Sequence, residues 1–328
     1  TAFAEHIEQS LLNGDPELLN KAFDRDYLKS IIRDNSIVNS SLDADFGQEY
    51  FDDNFHLGNE LCQYIDNGGD VKFVRYYIDN ENNAYHIVFR SYHDFILNFY
   101  DFQVDTLQDE IVIKDGFVYN TACLFSDNIR ENVLLNVLYR TNPEGATKVL
   151  RDVKMLTDEG KAKEAMIELK VHREELKNLS VYWQFYIVNL FKTSDKYNFI
   201  EELDSLRNQG VDERMLLLHK LMFQLNEGRV EANESTINEL INHTGDDPIY
   251  LLFFGKTLSN AHRYEEAATC YETASEYLPP LWDLWHGTLE CYHHLGEKEK
   301  FEECLSKGKD NYGMSDDELE EVKAQLLR

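Results

Sequence analysis

Five positions at intervals of 34 residues, Ala165, Phe199, Asn233, Ala267 and Phe301, constrain this chain more than any other feature of it. A fixed period of that length marks a two-helix hairpin used again and again. Other positions keep the same phase. Gly160, Ser194, Gly228, His262 and Gly296 fall where the two helices of each unit would turn, and three of those five are glycine, as a tight helix-to-helix turn prefers. Val149, Trp183, Leu217, Leu251 and Trp285 recur in the first helix of each unit, with Val153, Ile187, Leu221, Gly255 and Leu289 one turn further on. Leu169, Leu203, Ile237, Tyr271 and Leu305 recur in the second helices. Residues four apart share one helix face, so each unit carries an apolar stripe that it cannot bury alone and that stacking on its neighbours covers.

The segment from Pro248 to Pro280, with Leu251, Phe254, Gly255, Leu258, Tyr264, Ala267, Tyr271, Ala274 and Pro279, resembles the tetratricopeptide repeat. The resemblance implies an all-α superhelical solenoid of about five hairpins over residues 145–328. Asp247-Pro248 supplies a cap followed by proline at the first helical position, and Ser315-Asp-Asp-Glu318 is a capping-box start for a final helix that closes the stack. In this family the first helices line a concave groove, which places Val181, Gln184, Val188, Phe191, Met215, Leu218, Met222, Leu252 and Lys256 on it. The lysine and asparagine clamp with which some members hold a C-terminal carboxylate is absent, because the matching positions read Leu150, Gln184, Leu218, Leu252, His286 and Lys154, Val188, Met222, Lys256, Glu290. A mainly apolar groove suits an amphipathic helix or an extended apolar segment of a protein or peptide partner, or else the chain's own N-terminal domain.

Residues 1–143 read differently. Asp15-Pro16 starts a helix, Tyr27 to Ile32 continues the pattern, and Phe46 to Ile65 gives a longer helical stretch ending at Asn67-Gly68-Gly69. Val71–Ile78, Tyr85–Ser91, Phe95–Val104 and Glu110–Leu124 are rich in aromatic and β-branched residues and are expected as strands, with a hairpin loop at 79–83, a corner at 106–109, and Asp115-Gly116 as a bulge inside one long last strand. A linking helix is expected near 127–140. Helices followed by an antiparallel meander resemble the nuclear-transport-factor-2-like cone fold over about residues 5–125. The expected fold is thus an α+β domain, helices on a curved antiparallel sheet, followed by the all-α array.

If the cone encloses a pocket, the residues available for acid–base work are His56, His86, His93, Asp94, Asp101 and Tyr119, of which His86, Asp101 and Tyr119 are the candidate pocket set. None has a partner at a diagnostic spacing. The chain carries no G-x-S-x-G, no phosphate-binding glycine loop and no H-E-x-x-H, so no catalytic residue and no cofactor is assigned. Its five cysteines, Cys62, Cys123, Cys270, Cys291 and Cys304, form no C-x-x-C pair, and adjacent His293 and His294 point to different sides of a helix. No metal site is expected.

Charge narrows the partners. With 61 acidic against 32 basic residues the formal charge is -29, which leaves no basic stripe for nucleic acid or an anionic membrane surface. The excess is spread along the chain, 25 acidic and 10 basic residues up to Pro143 and 36 and 22 beyond it. Apolar runs stay short of the roughly 18 residues of a membrane span. The expectation is a soluble protein, cytoplasmic or exported with a leader removed, with homo-oligomerisation open. A non-enzymatic scaffold that holds a protein or peptide in the array's groove follows as the functional expectation. The alternative is a small-molecule or enzymatic pocket in the cone-like domain, with the array as support or dimerisation element.

Overall fold

The computed structural model describes residues 1–33, 56–141, 145–194 and 198–326. An N-terminal layer of helices and a five-stranded sheet comes first and helices alone follow, the order expected from the residue patterns. The expected domain boundary at Pro143 and the helical pattern from Phe46 to Phe55 lie outside the described residues.

Helices α1 (Ala2–Leu12), α2 (Glu17–Ala22), α3 (Arg25–Arg33) and α4 (Leu57–Asp66) precede strands β1 (Asp70–Asp79), β2 (Ala84–His93), β3 (Ile96–Leu107), β4 (Glu110–Val118) and β5 (Cys123–Leu124). The strands lie side by side in chain order, a meander. Two of its turns are two-residue turns with both residues left-handed: Asp94 and Phe95 (φ 48° and 59°) and Gln108 and Asp109 (φ 52° and 66°). Turns of that hand match the right-handed twist of the strands they join. Asp94 and Phe95 therefore make the turn after His93, where the pattern suggested a bend and a strand start. Asp115-Gly116 stays inside β4, and the bulge falls one residue earlier: Gln103 faces Asp115 and Val104 faces Ile113, which leaves Lys114 over. The expected single strand to Leu124 breaks after Val118. The chain turns back at Ala122 (φ 53°), with Asn98 Oδ1 accepting the Asn120 N–H at 3.0 Å, and β5 pairs antiparallel with β4.

Ala4, Ile7 and Leu11 of α1 and Leu61 of α4 are fully buried in one apolar cluster with Phe89, Phe102 and Ile113 of the sheet. Each such aliphatic or aromatic side chain contributes about 1.5–3 kcal/mol by leaving water. Polar contacts orient the layer. Glu8, itself buried, accepts from the Phe73 N–H and from Lys72 Nζ, both at 2.8 Å, and Asn20 Oδ1 accepts the Gly58 N–H at 2.8 Å.

The remaining helices are α5 (Phe125–Thr141), α6 (Ala146–Asp158), α7 (Ala162–Val171), α8 (Arg173–Leu176), α9 (Ser180–Thr193), α10 (Asn198–Asn208), α11 (Glu213–Asn226), α12 (Val230–Thr244), α13 (Ile249–Asn260), α14 (Tyr264–Ser275), α15 (Trp282–Leu295), α16 (Lys298–Tyr312) and α17 (Asp316–Leu326). Apart from the one-turn α8, they alternate as first and second helices in step with the period of the sequence. Gly160, Gly228, His262 and Gly296, the in-phase turn positions, all take positive φ, at 74°, 60°, 61° and 72°. Asp247 Oδ1 accepts the Ile249 N–H at 2.8 Å, and Ser315 and Glu318 form a reciprocal capping box, the Glu318 carboxylate accepting from the Ser315 N–H at 2.7 Å.

Compactness divides the chain into two units, the first Thr1–Asn67, Val71–Tyr92 and Leu97–His219, the second Gly68–Asp70, His93–Ile96 and Lys220–Arg328. The cut falls inside α11. Within the first unit, α7 packs on both α6 and α9, and within the second, α13 on α14, α14 on α15 and α15 on α16. No helix among the described residues is long and apolar enough to cross a membrane.

Candidate functional site

Three strands of the first unit bring a small polar cluster together. Asp101 of β3, only 5% exposed, accepts from the Tyr77 hydroxyl of β1 at 2.6 Å and meets His86 Nδ1 of β2 at 2.8 Å. The Tyr77 and His86 rings stack at 4.8 Å, and the Arg75 guanidinium lies 4.8 Å from the centre of the Tyr77 ring. Burial, reinforced by the Asp101 carboxylate, drives the Tyr77 and Tyr119 hydroxyls well above the ordinary phenol range. Tyr119 packs against Phe99 and Phe117, with ring centres 5.6 and 5.7 Å away. Arg214 of α11 lays its guanidinium 3.2 Å from the centre of the Phe117 ring and 5.4 Å from that of Tyr119, while Asp212 holds it through Nε at 3.0 Å and Nη2 at 2.8 Å.

Of the candidate pocket set, then, His86 and Asp101 are bonded, and Tyr119 lies nearby under Arg214. Tyr77, Arg75 and Arg214 complete the cluster with no motif to announce them. His93, by contrast, has Asp94 at 3.7 Å in an exposed turn, and His56 stands just before α4.

A cavity of about 280 Å³ lies close by, lined by Phe3, Ala4, Tyr76, Tyr85, Ile87 and Ile111 among others, and His86 is part of its wall. Successive side chains of a strand point to opposite faces. Tyr85 and Ile87 face the cavity on the α1 side, so His86 meets it through its backbone and turns its imidazole to Asp101 on the other face.

The groove positions have varied surroundings. In the first unit, Val188 and Phe191 are 38% and 39% exposed, Val181 and Gln184 are half-buried, and Met215 and Leu218 are buried. Gln184 Nε2 donates to the Thr121 carbonyl at 3.4 Å, and four residues earlier Ser180 donates to Glu131 from both its N–H (2.6 Å) and its hydroxyl (2.8 Å). The first helix α9 is thereby tied to residues before 143. In the second unit Leu252 is buried, Met222 is half-buried, and Lys256 pairs with Glu290 at 3.3 Å.

Two clefts of the second unit repeat with the hairpins. One, of about 490 Å³, is formed by α12, α13 and the residue after α14 and contains Ile241, Asp246, Leu251, Phe254 and Tyr277. The other, of about 530 Å³, contains Ser275, Pro280, Trp285, Thr288 and Asn311, each 34 residues further along. The second is the more polar. Tyr292 donates to Glu272 at 2.6 Å inside it, and Lys300 and Lys307 line it.

Thiol chemistry finds no support in these surroundings. All five cysteines are free, and burial pushes Cys291 up to about 12 and Cys304 up to about 11, far from the thiolate that a nucleophile requires. No group of three or more His, Cys, Asp or Glu suited to a metal ion occurs among the described residues. Compared with protein-family models, with curated proteins and with solved structures, the chain matches none of them.

Proposed function

We propose that the chain is a non-enzymatic scaffold that binds a protein or peptide, and that its C-terminal part is a tetratricopeptide-like solenoid. One observation carries this reading: the 34-residue period of the sequence returns in the structure as four left-handed turn residues in phase and as two clefts whose linings correspond residue by residue. Repetition of a surface feature at the pitch of the hairpins is what a stack of near-equivalent units produces, and such stacks present extended surfaces to partners. The N-terminal layer, for which the cone resemblance stands as part of the proposal, serves as support: Arg214 on Phe117 and Gln184 on Thr121 engage the first helices with the sheet.

The rival reading, a small-molecule or enzymatic site in the sheet layer, is favoured by the Asp101–His86 pair, since a carboxylate that orients an imidazole is a common general-base arrangement. Against it, the imidazole faces away from the cavity and a second hydrogen bond from Tyr77 occupies the carboxylate. The scaffold is therefore the better account.

A library of random twelve-residue peptides displayed on phage and selected against the full chain tests it. Enrichment of a sequence family that binds saturably, at one site per chain in calorimetry, supports a scaffold. Failure to enrich any family, in the presence of folded protein, would falsify it.

A further inference from the structure

We infer that the cleft between α12 and α13 is a docking site for a peptide segment in which a large apolar side chain stands next to a lysine or arginine; this rests on the scaffold reading and names the partner's chemistry. Ile241, Leu251 and Phe254 are half-exposed along its walls, and Tyr277, 67% exposed, stands at one end. An opening of about 490 Å³ accepts a leucine- to tryptophan-sized side chain with part of its backbone. Half-exposed aliphatic and aromatic side chains converging on one concavity gain most from an apolar anchor that displaces the water on them.

Charge selects the occupant. Glu234 and Asp246 line the same cleft, both are exposed, and neither forms an ion pair among the described residues, whereas most other lysines and arginines nearby have acidic partners, such as Arg263 with Glu266. The chain as a whole carries a charge of -29, so it repels acidic segments and attracts basic ones before contact. The equivalent cleft one hairpin on has lost this pairing of features: Ile241 is replaced by Ser275, Asp246 by Pro280 and Phe254 by Thr288, and two lysines line it. The repeat has kept the cleft and changed its chemistry, which confines the basic-apolar preference to one step of the array.

The peptides enriched on the full chain decide the matter. They are expected to share a leucine, phenylalanine or tryptophan flanked by lysine or arginine. Their affinity should fall about tenfold or more in the surface variant Glu234→Lys/Asp246→Lys, and likewise in Phe254→Ser. The lysine variant touches exposed groups alone, and its circular dichroism and melting temperature are expected to match the parent's, so that loss of binding there is not loss of fold. Enriched peptides that bind both variants like the parent overturn the cleft while the scaffold reading survives; sensitivity to Val188→Ser/Phe191→Ser instead would move the site to the first-helix face. Peptides without a basic residue, or equal binding of charge-reversed copies, overturn the assigned chemistry. No enrichment overturns both readings.

Discussion

Tyr271 shows how much the second unit depends on two small residues. Its ring is fully buried, and a Cβ added at Gly255 or at Gly287 would lie 2.8 Å from Cε1 or 2.7 Å from Cζ of that ring. The ring is held on both sides and has no low-energy retreat, so Gly255→Ala and Gly287→Ala are each expected to cost about 1–3 kcal/mol in urea unfolding. The Tyr271 hydroxyl is buried and without a hydrogen-bond partner in the structure. Tyr271→Phe is therefore expected to be neutral or to stabilise by up to about 1 kcal/mol, and a clear loss would reveal a partner for the hydroxyl. A charged pair in the first unit behaves oppositely. Asp24 accepts from Lys114 Nζ at 2.7 Å, and although burial alone would raise its carboxyl, that bond, the Tyr27 N–H and the lysine's charge hold it below its ordinary value. A carboxyl depressed in the folded state contributes stability that is present above its unfolded value near 4 and is lost as the pH falls through the lower, folded one. Asp24→Asn is expected to cost about 1–3 kcal/mol at pH 7 and much less at pH 2–3. Equal costs at both pH values would remove the ion pair from the account.

At the scale of elements, the hairpin turns are where sequence and backbone agree most closely. Gly228 and Gly296 both occupy the left-handed region, but a Cβ at Gly296 meets nothing within 4 Å, whereas one at Gly228 comes within 3.0 Å of the Ala261 nitrogen and the Asn260 carbonyl carbon. Gly296→Ala is expected to cost only the left-handed penalty of about 1–2 kcal/mol, and Gly228→Ala more, because backbone cannot step aside as a side chain can. Thermal unfolding of the two variants side by side checks the order. These turns, and the caps at Asp247 and Ser315, were legible because a few neighbouring residues decide them. Strand limits were less so: the return of the chain at Ala122 depends on Asn98, 22 residues from the Asn120 N–H that it accepts. The candidate site was legible only as single letters. Asp101 finds His86 and Tyr77 at separations of 15 and 24 residues, through a register that hairpin turns set, and Arg214 reaches Phe117 with no local trace at either position. Nor does a period of 34 say which step of an array keeps an acidic, apolar cleft; that took the positions of α12 and α13.

Over the whole molecule the decisive quantity is charge. Acidic residues outnumber basic ones by 61 to 32, and many of the ion pairs that do form are exposed pairs three or four residues apart on one helix, such as Lys154 with Asp158 and Arg263 with Glu266. Pairs of that kind contribute about 0.2–1 kcal/mol at most. Carboxylates left without a partner repel one another, and folding brings them closer together than the unfolded chain does. Salt weakens both effects, but the repulsion sums over many more charges at distances comparable to the screening length, which shrinks from about 30 Å at 0.01 M to about 10 Å at 0.1 M ionic strength. Raising sodium chloride across that range at pH 7 is therefore expected to raise the melting temperature, by roughly 2–4 °C for each kcal/mol of repulsion removed. Differential scanning calorimetry at several concentrations measures it, with sodium chloride chosen because sulfate or phosphate would add stabilisation by exclusion from the surface. A melting temperature that falls as salt is added would mean that the ion pairs outweigh the excess of 29 negative charges, and that the acidic surface belongs to a network holding the helices together.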